Sequence, residues 1–210
     1  MKSKEFRSDP AFLRNQYELT PYGMPIITRQ GLCHIDGMLS FHDMRKNDQD
    51  ASKYSYLIHF FKNDPCFNSL YDHPDSERNH QKIETLAQYA AVCSPDFSVY
   101  PEMPIPRQQA QIFRSRWCGA HWQSMGLQVF PTVTWADQPS YSFCFDGITP
   151  HSTVVVSTLG CHQSKSNFLA GYDKMLETIH PDHVLCYGNP FREMDGDVIC
   201  FPYHAFRAKG

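Results

Sequence analysis

The chain has 210 residues, 41% of them hydrophobic, 14% aromatic and 20% charged, with a formal net charge of −3. That length suits one domain, and the aromatic load can fill a core, which excludes disorder over most of the chain. The balanced charge does not point to a nucleic acid or an anionic membrane, and no apolar run approaches the roughly 20 residues of a bilayer span.

Residues 1–30 are polar, with turn signals at Asp9-Pro10, Thr20-Pro21-Tyr22-Gly23 and Met24-Pro25. They are predicted to form an arm packed on a single α/β domain over residues 31–210. The charged N-terminus has no apolar stretch behind it, which predicts no secretory signal. From residue 37, short β-branched or aromatic runs alternate with longer amphipathic ones. The predicted strands are Met38–His42, Tyr56–Phe61, Ala91–Cys93, Gln128–Thr134, Thr153–Ser157, His183–Tyr187 and Val198–Phe201. The apolar run Val154-Val155-Val156 reads as a strand covered on both faces.

Helices are predicted over Ser76–Tyr89, Arg107–Met125 and Asn167–His180. Their apolar residues recur at helical spacing, as in Ala110, Phe113, Trp117 and Ala120, or Phe168, Tyr172, Met175 and Ile179. The last helix is expected to start at a Ser166 cap and to stop before Pro181. Alternation of strands with long crossovers predicts a mainly parallel sheet of about six or seven strands. A shortened or open barrel similar to the eight-fold α/β barrel is the first expectation, and a doubly wound open sheet the alternative. Both place a functional site at the carboxyl ends of the strands.

The eight cysteines stand at 33, 66, 93, 118, 144, 161, 186 and 200, none within three residues of another. That spacing excludes local C-x-x-C zinc or redox pairs, and reduced thiols in a cytoplasm are expected. The 11 histidines form no H-E-x-x-H, H-x-H or Cys₂His₂ spacing, so no metal site is predicted and no cofactor is identified. No G-x-S-x-G, G-x-G-x-x-G or G-x-x-x-x-G-K-[ST] occurs, against a typical α/β-hydrolase, a dinucleotide site and a P-loop.

The strand-end rule selects the candidates. Segments such as Lys62-Asn63-Asp64 and Ser94-Pro95-Asp96 follow predicted strands and should meet at one rim. Asp96, Asp137 and Asp146 are candidate catalytic carboxylates, because a strand-end carboxyl is partly shielded and its pKa responds to neighbours. Turn chemistry is the competing reading for all three, since Pro95-Asp96 and Asp137-Gln138-Pro139 also favour turns. Trp135 and Tyr187 could stack on a base or a sugar, or lid the core. Ser157, Thr158 and Gly160, ahead of a helix start, could receive an anion, or merely turn the chain. Asn189 follows the strand that ends at Tyr187 and joins the candidate substrate-binding residues. Arg107, Arg114 and His121 recur every seven residues on one face of the second helix.

Several runs occur together in a specific order: Ser94-Pro95-Asp96-Phe97-Ser98-Val99-Tyr100, Arg116-Trp117-Cys118-Gly119-Ala120-His121-Trp122-Gln123, Phe130-Pro131-Thr132-Val133-Thr134-Trp135, Phe143-Cys144-Phe145-Asp146-Gly147, Val156-Ser157-Thr158-Leu159-Gly160 and Leu185-Cys186-Tyr187-Gly188. In these, over about residues 20 to 205, the chain resembles the bacterial and phage family labelled "domain of unknown function 4417". The resemblance implies a home in bacteria and their mobile elements and a cytoplasmic protein. The family has no assigned reaction, so no catalytic residue carries over.

The leading expectation is an enzyme acting on a nucleotide, nucleobase or nucleic acid. Asp96 would serve as general acid–base or nucleophile, with Asp146 or Asp137 as its charged partner. One alternative is a non-catalytic binding protein that sequesters a host protein or a signalling nucleotide. Another is a DNA-binding accessory factor, against which the net charge of −3 counts.

Overall fold

The computed structural model describes residues 16–44 and 54–203. The first half of the predicted arm, including Asp9-Pro10, lies outside the described residues. Among these residues, seven parallel strands form two sheets. The first has the order β1 (Gly37–Ser40), β2 (Tyr56–His59), β3 (Ala91–Cys93) and β4 (Val129–Phe130); the second has β5 (Val154–Ser157), β6 (Val184–Tyr187) and β7 (Val198–Phe201). Strand order follows chain order in both. The α/β class and the parallel strands are as expected, but the single ladder of six or seven strands is divided into four and three.

The division has a local cause. The predicted strand Gln128–Thr134 pairs with β3 only through Val129 and Phe130, because Pro131 has no N–H for the ladder. Beyond the proline the chain turns to its other neighbour: Thr132 bridges Val155, and the Val133 N–H donates to the Val155 carbonyl at 2.9 Å. One short bridge therefore joins the two sheets. The predicted strands Met38–His42 and Tyr56–Phe61 end two residues early, at Ser40, where a turn begins, and at His59.

Val154, Val155 and Val156 are each 0% exposed. Stiff β-branched side chains suit a pleated strand, and here both faces are covered. Val155 packs with Leu185 and Phe201, while Val154 and Val156 pack with Tyr172 and Met175 of a crossover helix.

Four helices complete the fold among the described residues: α1 (Ser69–Asp72), α2 (Glu77–Leu86), α3 (Ile105–Ser124) and α4 (Lys165–Ile179). In α2, Ser76 caps as its serine should, with its side chain accepting from the Asn79 N–H. In α3, Pro106 sits in the first turn, where its missing N–H costs nothing. In α4 the expected Ser166 cap is displaced: a 3-10 turn, Cys161–Ser164, runs straight into the helix at Lys165. The helix ends at His180 in the left-handed region, φ 47°, just before Pro181. Short α1 and the 3-10 turns Asp64–Cys66 and Gln138–Ser142 had no periodic signal.

Arg116 of α3 is completely buried and donates to three backbone carbonyls: Asp146 (3.0 Å), Thr132 (3.1 Å) and Cys144 (2.7 Å). Burial lowers its pKa to about 10, opposed by the nearby Cys144 and Asp146. Arg114 lies over the Phe97 and Tyr71 rings, and His121 stacks on Trp117. Within the described part of residues 1–30, Ile27 bridges Ile148, and the Tyr17 hydroxyl meets His121 Nδ1 at 2.7 Å. No helix among the described residues is long and apolar enough to cross a membrane.

Candidate functional site

The carboxyl ends of β1 to β5 open onto a cleft of about 810 Å³. Each strand exit contributes to its wall: His42 after β1, Lys62 after β2, Asp96 after β3, Trp135 after β4, and Ser157 at the end of β5. Parallel strands bring this about, since they all point their carboxyl ends the same way.

Asp96 is held by the segment on either side of it. Ahead of it, Ser94 Oγ accepts from the Thr132 N–H (2.9 Å), and the Ser94 carbonyl accepts from Thr132 Oγ1 (2.5 Å). Pro95 then fixes the exit of the chain, and Phe97 is buried in the core. Behind it, Ser98 donates both its N–H and its hydroxyl to Asp64, at 3.1 and 2.7 Å. Asp64 also accepts from Gln111 Nε2 at 2.9 Å.

Asp96 is half-buried in the cleft wall. Desolvation, and next the charge of Asp64, push its carboxyl up to about 7. A carboxyl with that pKa offers both its acid and its base form at neutral pH. Its environment also reaches two thiols: Cys93 and Cys161 are raised chiefly by burial, with Asp96 adding to both.

Trp135 is half-buried and forms an aromatic wall. Its ring is backed by Phe168 at 5.2 Å and Phe145 at 6.2 Å between centroids. Across the cleft, Gly160 adopts φ 77° and starts the 3-10 turn that leads into α4. Ser157 Oγ donates to the Tyr187 carbonyl (3.2 Å) and accepts from the Leu159 N–H (3.1 Å). Asp96, Trp135, Ser157 and Gly160 thus share one cleft.

The other candidates lie off its wall. Thr158 is completely buried, donating to the Asn189 carbonyl (3.0 Å) and meeting the Tyr203 hydroxyl (2.9 Å). Asn189 is exposed and engages through that carbonyl. Tyr187 stacks on Phe61 at 5.5 Å and packs on His59 at 4.1 Å. Burial lowers the pKa of that histidine to about 3, aided by Lys62; its Nδ1 accepts from the Phe61 N–H, which leaves the proton on Nε2. Asp146 accepts from Thr20 Oγ1 (2.7 Å) and from the Gly147 N–H (3.0 Å), tying Thr20 to the turn that precedes β5. Asp137 begins the turn Gln138–Ser142 without capping it, and its buried Oδ1 finds no hydrogen-bond partner among the described residues.

Asp64 was not among the carboxylates selected from the sequence. The signal was present, because Lys62-Asn63-Asp64 follows a strand as Ser94-Pro95-Asp96 does. Among the described residues, no group of three or more His, Cys, Asp or Glu is placed to hold a metal ion.

The family described as "Domain of unknown function (DUF4417)" matches residues 17–204. The chain is similar to the "Gene 1 protein" of Mycobacterium phage L5, with 34% identity over 157 residues, 73% of this chain and 66% of that protein. It is also similar to the "Gene 1 protein" of Mycobacterium phage D29, with 34% identity over 158 residues, 74% of this chain and 57% of that protein. The matched part therefore spans between 57% and 66% of the length of these relatives. No solved structure matches the chain.

Proposed function

The chain belongs to the DUF4417 family, which includes phage proteins, and from that premise we propose that it is an enzyme acting on a nucleotide, nucleobase or nucleic acid, with Asp96 as general acid–base. The observation that carries this reading is the position of Asp96 in a cleft where five strand exits meet, beside a second carboxylate, Asp64. Three hydrogen-bond donors hold the Asp64 carboxylate in place, so its charge acts on Asp96 from a fixed position. Two carboxyls in unlike surroundings are a recurrent arrangement for acid–base work. Trp135 offers a stacking surface, and the Ser157–Gly160 turn a place for an anionic group.

The proposal extends to architecture and location. The bridge between Thr132 and Val155, and the contact of Tyr187 in one sheet with His59 and Phe61 in the other, support one curled sheet resembling a shortened barrel. Work on a phage or bacterial nucleotide would place the protein in the cytoplasm.

The test is turnover. The purified protein is incubated with nucleosides, nucleotides and a single-stranded oligonucleotide, and products are followed by mass spectrometry. A product formed by the parent and lost in a folded Asp96→Asn variant is expected. Equal turnover by Asp96→Asn would remove Asp96 from catalysis; binding without turnover by the parent would favour a sequestering protein.

A further inference from the structure

Two properties of the cleft narrow what it takes in. The first is its aromatic wall. Trp117 and Trp122 are 2% and 0% exposed, whereas Trp135 is half-buried and lines the cleft. The Trp135 indole has nowhere to retreat, since Phe168 and Phe145 stand behind it and Gly171 lies against its pyrrole edge. A rigid aromatic face in a cleft stacks a planar ring, whichever base carries it. Tyr100 and Leu159, 54% and 55% exposed, add apolar surface at the mouth.

The second property is charge. Lys62 is the one lysine or arginine among the described residues of the wall. Opposed to it are Asp96 and, adjoining, Asp64. A polynucleotide groove tracks the backbone with a run of cations, one for each neutralised phosphate. A single lysine suits a single phosphate. The volume, about 810 Å³, falls in the range of roughly 300–1,000 Å³ found for small-molecule sites.

We infer that the cleft takes one nucleoside or nucleoside monophosphate at a time, its base stacked on Trp135 with an edge toward Asp96, and its phosphate at Lys62. This rests on the function proposed above and excludes the polymer from it. The edge contact is chemically matched: a carboxyl offers a donor and an acceptor when protonated and two acceptors when ionised, and base edges carry both kinds of group.

Tryptophan fluorescence and calorimetry test the inference on the full chain. Nucleosides, nucleoside monophosphates and a single-stranded oligonucleotide are titrated separately at two salt concentrations. Nucleosides and monophosphates should bind and quench Trp135 emission. Trp135→Leu should abolish the quench and weaken binding roughly tenfold or more, and Trp135→Phe, which keeps a stacking ring, should restore most of the affinity. Lys62→Gln should weaken the monophosphate and leave the nucleoside unchanged. An oligonucleotide bound more tightly than any monomer, with a steep loss at high salt, would overturn the inference and leave the proposed function standing. Binding of none of the three would overturn both. Equal loss of nucleoside and monophosphate in Lys62→Gln would remove the phosphate from Lys62 and overturn that placement.

Discussion

A β-carbon on Gly171 would lie 2.2 Å from Nε1 of Trp135. Gly171 is a buried residue of α4, so the helix approaches the indole at a distance that only glycine allows. The sequence places glycine where helix propensity disfavours it by about 1 kcal/mol relative to alanine. Gly171→Ala should therefore gain propensity and lose more through overpacking, about 1–3 kcal/mol. The expected outcome is a lower melting temperature and a changed emission maximum. A change in emission reports Trp135, because the other two tryptophans are buried and do not line the cleft. Unchanged emission and unchanged melting would show that the indole is not seated on the helix.

Asp96 makes stability depend on pH in a definite direction. Its folded-state pKa of about 7 lies above the ordinary carboxylate value. Between about pH 4 and 7 the folded chain keeps a proton that the unfolded chain has released, so stability falls as pH rises through that window. The slope from this one group is at most ~1.4 kcal/mol per pH unit. Above 7 both states are ionised and the loss is constant. Asp96→Asn removes the term. Its melting temperature should exceed that of the parent at pH 8, and the difference should vanish near pH 4. A constant difference across this range would show that Asp96 titrates normally.

Among the described residues, no ion pair is formed by the buried guanidinium of Arg116; its hydrogen bonds go to the carbonyls of Thr132, Cys144 and Asp146. These carbonyls belong to the chain after β4 and to the turn that leads toward β5, so one side chain ties the strand exits to α3. Arg116→Lys keeps the charge but has a point donor in place of a fork. Buried carbonyls would be left unpaired at about 1–3 kcal/mol each. Chemical denaturation should show a loss of at least ~2 kcal/mol with the fold retained. A loss below ~0.5 kcal/mol, the usual effect of a surface change, would contradict the assignment.

The strand-end rule brings Asp96, Trp135, Ser157 and Gly160 to one cleft, as the structure has them, because the alternation of β and α runs is a local pattern with a directional consequence. The same rule contained Asp64, but choosing it required knowing that Ser98, 34 residues later, turns its N–H and hydroxyl toward it. No periodicity encodes that pairing. The fate of Gln128–Thr134 was equally hidden. Its alternation reads as one strand, and Pro131 alone marks where it exchanges β3 for β5 as a neighbour. Asp137 and Asp146 share turn-rich surroundings with Asp96, and the direction of each carboxyl depends on turn geometry that composition does not specify.

Asp64 is expected to tune the titration of Asp96. Burial is the first cause of the raised Asp96 pKa and the Asp64 charge the second. Removing that charge should lower the Asp96 value yet leave it above the ordinary carboxylate range, because desolvation persists. Asp64→Asn is the suitable change, since its amide oxygen can still accept from the Ser98 N–H. The readout is the pH at which the stability advantage of Asp96→Asn over its parent stops growing, which follows the folded-state pKa, measured with Asp64 present and again with Asn at 64. That plateau should begin at lower pH, and be smaller, in the Asp64→Asn background, while the lower end near pH 4 is set by the unfolded chain and should not move. A merely structural role, through lost bonds to Ser98 and Gln111, would lower stability at every pH and leave the plateau where it was. An unmoved plateau would therefore separate Asp64 from the titration of Asp96 and leave burial as the whole cause.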